Sequence, residues 1–221
     1  MDRTLLLDLD GTLVDSVPDL AAALNRLMEA RGLAPFSLAE TASFVGDGVA
    51  RLVERALMAR HQEPEPEAVR IFSEDYAAHA VDQTRLYPDV LQTLQALRRE
   101  GWRLAVCTNK LEGAARILLS ALGVGPLLDA VGGGDSFPVR KPDPAHVLAT
   151  LRAAGGDRRA AVMAGDHRND VAAARAAGLP SIFAAWGYGP PAMSAGATAV
   201  ATSFPEMAAI ARRLLSNDSF S

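Results

Sequence analysis

Short apolar runs alternate with helical patterns over most of this chain. Beyond about residue 86, Val90, Leu91, Leu94 and Leu97 share one helix face, Ile117, Leu118 and Leu122 a second, and Val147, Leu148 and Leu151 a third. Val171, Ala174 and Ala177 repeat the spacing and run into Gly178, a helix-stopping residue. The intervening apolar runs at 5–9, 104–108, 130–132, 161–164, 181–184 and 197–201 are strand candidates. Strands alternating with helices predict an α/β fold with a mostly parallel sheet covered on both faces. Ligands of such sheets bind beyond the carboxyl ends of the strands.

Residues 16 to about 84 break the alternation. Leu20, Ala23, Leu24 and Leu27, then Val49, Leu52, Val53 and Leu57, then Val69, Phe72 and Tyr76 give successive helices without a strand between them. The segment 61–67 reads as an exposed connection. An inserted α-helical subdomain over 16–85 is therefore expected, within a core formed by 1–15 and 86–221. Asp15-Ser16 and Leu86-Tyr87-Pro88 would be its hinges.

A length of 221 residues with 49% hydrophobic and 22% charged side chains fits a globular α/β protein with a substantial core. The net charge of −4 speaks against a nucleic-acid partner. The single cysteine, Cys107, allows no intrachain disulfide and sits in a strand candidate. The start is too short an apolar run for a signal peptide, and the uncharged stretch 176–205 is broken by glycines and prolines. A cytoplasmic protein without a membrane partner is expected. The tail 216–221 is polar and is expected to fray.

Candidate chemistry gathers at the strand ends. The first apolar run closes on Asp8-Leu9-Asp10-Gly11-Thr12, two carboxylates two residues apart that repel unless a cation lies between them. Phosphoryl transfer onto a carboxylate, with a divalent metal, calls for this arrangement. An Asp-Gly turn is the plain alternative. Three further places agree, in order along the chain. The second run ends in Thr108-Asn109-Lys110, Lys141-Pro142-Asp143-Pro144 precedes a helix, and another run ends in Gly165-Asp166 with Asp170 one turn on.

With these four motifs the sequence resembles the haloacid dehalogenase-like hydrolase superfamily over nearly its whole length. The resemblance implies a Rossmann-like core and a helical cap closing over the site. It implies Asp8 as nucleophile and Asp10 as general acid and base, since the dehalogenase branch lacks the second aspartate. Lys141 would neutralise the phosphoryl group, while Gly11, Thr108 and Asn109 would cradle it. Mg²⁺ would be held by Asp8, the Asp10 carbonyl and Asp166, with Asp170 behind them holding a water of the ion or the lysine. Lys110 is read as structural. His167 is open between contacting substrate, tuning the metal and facing solvent, and His61, His79 and His146 are read as surface or packing residues.

The loop 44–49 and the segments 19–24, 53–57 and 186–189 resemble those of bacterial 2-phosphoglycolate phosphatases. Gly46 is accordingly a candidate substrate contact, or else shapes a turn, and Arg51 is a candidate for a substrate carboxylate, or else lies on a solvated face. The expectation is a Mg²⁺-dependent phosphatase of a small phosphorylated metabolite, 2-phosphoglycolate foremost, acting as monomer or homodimer. A sugar-phosphate phosphatase, a phosphomutase, a pyrophosphatase and a non-catalytic phosphoryl acceptor are the alternatives. The Gly165-Asp166 form of the last motif resembles phosphatases more than mutases.

Overall fold

A computed structural model describes residues 2–216, so the expected fraying of the tail after Ser216 lies outside the described residues. The first strand, β1 (Thr4–Leu7), leads to a short strand β2 (Val14–Asp15) and four helices, α1 (Val17–Glu29), α2 (Leu38–Phe44), α3 (Val49–Ala59) and α4 (Pro66–His79). A second short strand β3 (Arg85–Leu86) returns the chain to α5 (Val90–Arg99), β4 (Arg103–Cys107), α6 (Glu112–Ala121) and β5 (Ala130–Gly132). There follow α7 (Pro144–Ala153), β6 (Ala161–Gly165), α8 (Arg168–Ala176), β7 (Ser181–Ala184), β8 (Ala199–Ala201) and α9 (Phe204–Ser216).

Six strands form one sheet in the order β5-β4-β1-β6-β7-β8, and every neighbouring pair is parallel. β1 is central, and the chain winds out to one side of it and then the other. The resulting crevice opens at its carboxyl end, where Asp8 lies. Both faces of β1 are buried, which is why it reads as an unbroken apolar run. Leu5 and Leu7 pack with α5, α6 and α9, and Leu6 packs with α7 and α8 on the other face.

The strand expected over 5–9 ends at Leu7, because the chain turns back at once. The N–H groups of Thr12, Leu13 and Val14 all reach the Leu9 carbonyl. The strand expected over 197–201 begins only at Ala199, since Ala197 N–H is taken by Ser194 O in a turn.

The four helices between β2 and β3 have a core of their own, built around Leu24, Met28, Val53, Leu57 and Phe72. β2 and β3 pair antiparallel where the chain leaves and re-enters the sheet domain, with Val14 opposite Leu86. Asp19, 1% exposed on α1, ties the two ends of the segment together. It accepts hydrogen bonds from Thr84 N–H at 2.8 Å, Thr84 Oγ1 at 2.7 Å and Gln83 N–H at 3.0 Å. Helix α2 was not expected, although Ser37 and Glu40 form the reciprocal capping box that marks a helix start. Among the described residues no helix is long and apolar enough to cross a membrane.

Two separate cores predict separable stability. Leu57→Ala, fully buried in the helical segment, should cost about 2–5 kcal/mol there. Hydrogen exchange should speed up in α1, α3 and α4 while the central strands stay protected. Equal acceleration across the sheet would show that the two cores unfold as one.

Candidate active site

β1 presents the first carboxylate. Asp8 still donates its N–H to Ala164 O at 2.9 Å, so its backbone is held by β6, and its Oδ1 accepts Leu9 N–H at 2.7 Å. Gly11, at φ +82°, lets the following turn close. A Cβ there would lie 2.3 Å from an Asp166 carboxylate oxygen. The glycine therefore serves both the turn and its close approach to Asp166.

β6 ends in Gly165, and Asp166 follows. Its carboxylate accepts the Thr12 hydroxyl at 3.0 Å, Tyr188 N–H at 2.8 Å and Gly189 N–H at 3.3 Å. A Cβ on Gly187 would fall 2.3 Å from the Asp166 Cβ, and one on Gly189 1.8 Å from the Asp166 carbonyl oxygen. The segment 186–189 is thus a backbone cradle for Asp166. The sequence reading did not find that role, nor that of Thr12. Two glycines flanking Tyr188 were the available signal. Tyr188 also reaches the end of β2, where its hydroxyl accepts Ser16 N–H at 2.7 Å and donates to Asp15 Oδ1 at 2.9 Å.

Lys141 approaches from the loop before α7. Its Nζ lies 2.9 Å from Asp8 Oδ1 and 2.6 Å from Asp170 Oδ1. Two contacts fix its backbone: its N–H donates to His146 Nδ1 at 3.2 Å, and its carbonyl accepts Asn109 Nδ2 at 3.0 Å. Burial and the Lys141 charge push His146 down to about 4, so it stays a neutral acceptor. Asp170, in the first turn of α8, accepts His167 N–H at 2.9 Å.

Carboxylate oxygens of Asp8, Asp166 and Asp170 lie within 4.8 Å of one another, and all three residues are buried. Lys141 is the one cationic side chain paired with them among the described residues. Fully ionised, the group carries two uncompensated negative charges out of water. Burial, then repulsion from Asp8 and Asp170, pushes Asp166 up to about 8. Burial and Asp8 push Asp170 up to about 7 even against Lys141. Burial would lower Lys141, but Asp170 and Asp8 outweigh it and hold the ammonium above its ordinary range. Hard oxygen donors around a deficit of two positive charges fit a divalent cation of the Mg²⁺ kind.

Asp10 points elsewhere. Its carboxylate is not in that cluster and lines, with Asp8, a cavity between the sheet and the helical segment. Asp10 Oδ1 accepts Ser16 Oγ at 2.6 Å and Lys110 Nζ at 3.0 Å, and the same Nζ lies 3.0 Å from the Tyr76 hydroxyl on α4. Lys110, expected to be structural, is a charged group on the cavity wall. Thr108 also lines the cavity, and its Oγ1 accepts Lys110 N–H at 3.2 Å.

The loop after α2 is docked on this site. Gly46 O accepts Asn109 Nδ2 at 3.0 Å and Asn169 Nδ2 at 3.2 Å, and Asp47 Oδ1 accepts Asn169 Nδ2 at 2.7 Å. A Cβ on Gly46 would meet the His167 ring at 2.6 Å. His167 is therefore buried beneath the loop, not turned to solvent, and its Nδ1 caps α8 by accepting Asn169 N–H at 3.2 Å. Asn109 uses its side chain to bind the loop to Lys141. Arg51 is not brought to the site. Its side chain is 56% exposed and pairs with Glu54 at 2.6 Å, because α3 buries Leu52, Val53 and Ala56 and turns Arg51 outward.

A family profile of haloacid dehalogenase-like hydrolases matches residues 3–178. A phosphoglycolate phosphatase of Cereibacter sphaeroides is 44% identical over 185 residues, covering 82% of this chain and 84% of its own. One from Agrobacterium fabrum is 42% identical over 187 residues, covering 83% and 80%. A crystal structure from Haemophilus somnus, described as a predicted phosphoglycolate phosphatase, superposes with a TM-score of 0.84 at 29% identity, covering 95% of this chain and 97% of that one.

The raised carboxyls carry a pH signature. A carboxyl whose pKa rises on folding holds its proton more tightly in the folded state. The stability it adds is complete below its unfolded value near 4 and is lost as pH climbs through its folded value. With Asp166 at about 8 and Asp170 at about 7, metal-free protein in a chelator should lose thermal stability steadily from pH 5 to 8. Scanning calorimetry should show that slope, and Asp166→Asn should flatten it. A melting temperature that holds or rises over the same range would contradict the excess of buried charge.

Proposed function

The chain belongs to the haloacid dehalogenase-like hydrolase family, and we propose that within it this protein is a Mg²⁺-dependent phosphatase of 2-phosphoglycolate. The observation that carries the reading is the placement of Asp8. One of its oxygens lies beside the Lys141 ammonium, and the residue opens on the same cavity as Asp10. The names of relatives at 37–44% identity support the substrate.

Asp8 attacks phosphorus, the bond to the ester oxygen breaks, and the phosphoryl group passes to the aspartate. Asp10 gives its proton to the departing oxygen. It then takes a proton from the water that attacks phosphorus, which frees phosphate and restores Asp8. Lys141 offsets charge on the transferring group, Asp170 holds Lys141 in place, and Thr108 and the Asn109 amide receive phosphate oxygens. Asp8, Asp166 and the Asp10 carbonyl would hold Mg²⁺, whose charge supplies further neutralisation of the phosphoryl group. The helical segment 16–85 acts as the cap that shields phosphoryl transfer from bulk water while admitting the one water that hydrolyses the phosphoenzyme.

Asp8→Asn should lower turnover on the order of 10³-fold or more with the fold intact. Asp10→Asn should cost roughly 10²–10⁴-fold. Phosphate release from a panel of 2-phosphoglycolate, sugar phosphates and pyrophosphate, with and without Mg²⁺, checks both variants and the substrate. Turnover retained by Asp8→Asn would overturn the covalent mechanism, and a preference for a sugar phosphate or pyrophosphate would overturn the substrate.

A further inference from the structure

Lys110 is the one cationic side chain among the described residues lining the cavity shared by Asp8 and Asp10. The helical segment contributes chiefly apolar surface there, with Leu20, Val49, Leu52, Phe72 and Ala77, plus the hydroxyls of Ser73 and Tyr76. Arg51, the alternative candidate for the substrate carboxylate, lies outside it on the exposed face of α3.

The position of Lys110 follows from its contacts. Its Nζ is 3.0 and 3.1 Å from the two Asp10 oxygens and 3.0 Å from the Tyr76 hydroxyl. A group that protonates the ester oxygen must touch it. In 2-phosphoglycolate a single CH₂ separates that oxygen from the carboxylate. An ammonium in contact with Asp10 is therefore within hydrogen-bond reach of a carboxylate placed one carbon from the oxygen Asp10 serves.

We propose that Lys110 is the specificity-determining residue of this site. It receives the substrate carboxylate from the sheet side, Tyr76 steadies its ammonium, and the cap supplies an apolar wall. The assignment rests on the reading of the protein as a 2-phosphoglycolate phosphatase. It explains selection by class. A short 2-carboxylate ester meets the one cation on the wall, while the several hydroxyls of a sugar phosphate would face a chiefly apolar cap with few polar partners.

The test compares kcat/KM for 2-phosphoglycolate with that for ethyl phosphate, in which a methyl group replaces the carboxylate. The wild-type protein should prefer 2-phosphoglycolate by at least about 100-fold. Lys110→Met should lower both rates, because Asp10 loses a partner, but should cut 2-phosphoglycolate at least about thirty-fold further, the scale of one lost charged hydrogen bond. Lys110→Arg should recover much of the preference. Lys110→Gln, which still donates to Asp10 and Tyr76, carries the same comparison if Lys110→Met does not fold. A wild-type preference that survives neutralisation, with both substrates falling together, would show that Lys110 only positions Asp10 and would overturn this inference while leaving the substrate intact. No wild-type preference would overturn the substrate reading and this inference with it.

Discussion

Three buried carboxylates facing one ammonium are the constraint around which the rest of this molecule is arranged. Asp8, Asp166 and Asp170 bring oxygens within 4.8 Å of one another, and of these three the Lys141 ammonium pairs with Asp8 and Asp170. Groups so crowded and dry are costly to keep ionised. The surrounding backbone is spent on holding them. Thr12 and the amides of Tyr188 and Gly189 bind Asp166, and His167 N–H binds Asp170. Glycines at 11, 187 and 189 stand where a side chain would collide with Asp166. A parallel sheet supplies the frame, because its strands end side by side and place residues far apart in sequence at one edge.

A second pair of charges works on the other side of Asp8. Asp10 and Lys110 are partners across the cavity wall, and Tyr76 links them to the helical segment. The loop at Gly46 and Asp47 is bound by Asn109, which follows Thr108, and by Asn169, in the first turn of α8 just after Asp166. The cap thus meets the sheet domain through residues adjacent to the chemistry. Its seating on the site uses short, directional contacts.

The parts legible in the sequence were those set by residue type at a strand end. Leu5–Leu7 reads as a doubly buried strand because both its faces are covered, and the motifs at Asp8, Lys141 and Asp166 mark the edge where the carboxylates meet. Direction within a helix or loop was less legible. Arg51 was a candidate for the substrate carboxylate and Lys110 was read as structural, and the structure sends the first to solvent and the second into the cavity. That outcome depends on α3 packing against α4 and on Lys110 meeting Asp10 across a hundred residues of sequence. No local pattern encodes such a contact. His167 was open for the same reason, since the loop that covers it is more than a hundred residues upstream. Helix α2 is only seven residues long, too short to display a period, and its capping box was its one sign.

A carboxylate cluster that holds a divalent cation binds it with linked release of protons. Mg²⁺ titrated into the protein at pH 7, by calorimetry in buffers of different ionisation heat, should bind at one site per chain. It should release protons as Asp166 and Asp170, raised to about 8 and about 7 when metal-free, become ionised around it. Asp166→Asn should abolish the binding. Binding that releases no proton, or that survives Asp166→Asn unchanged, would contradict the account.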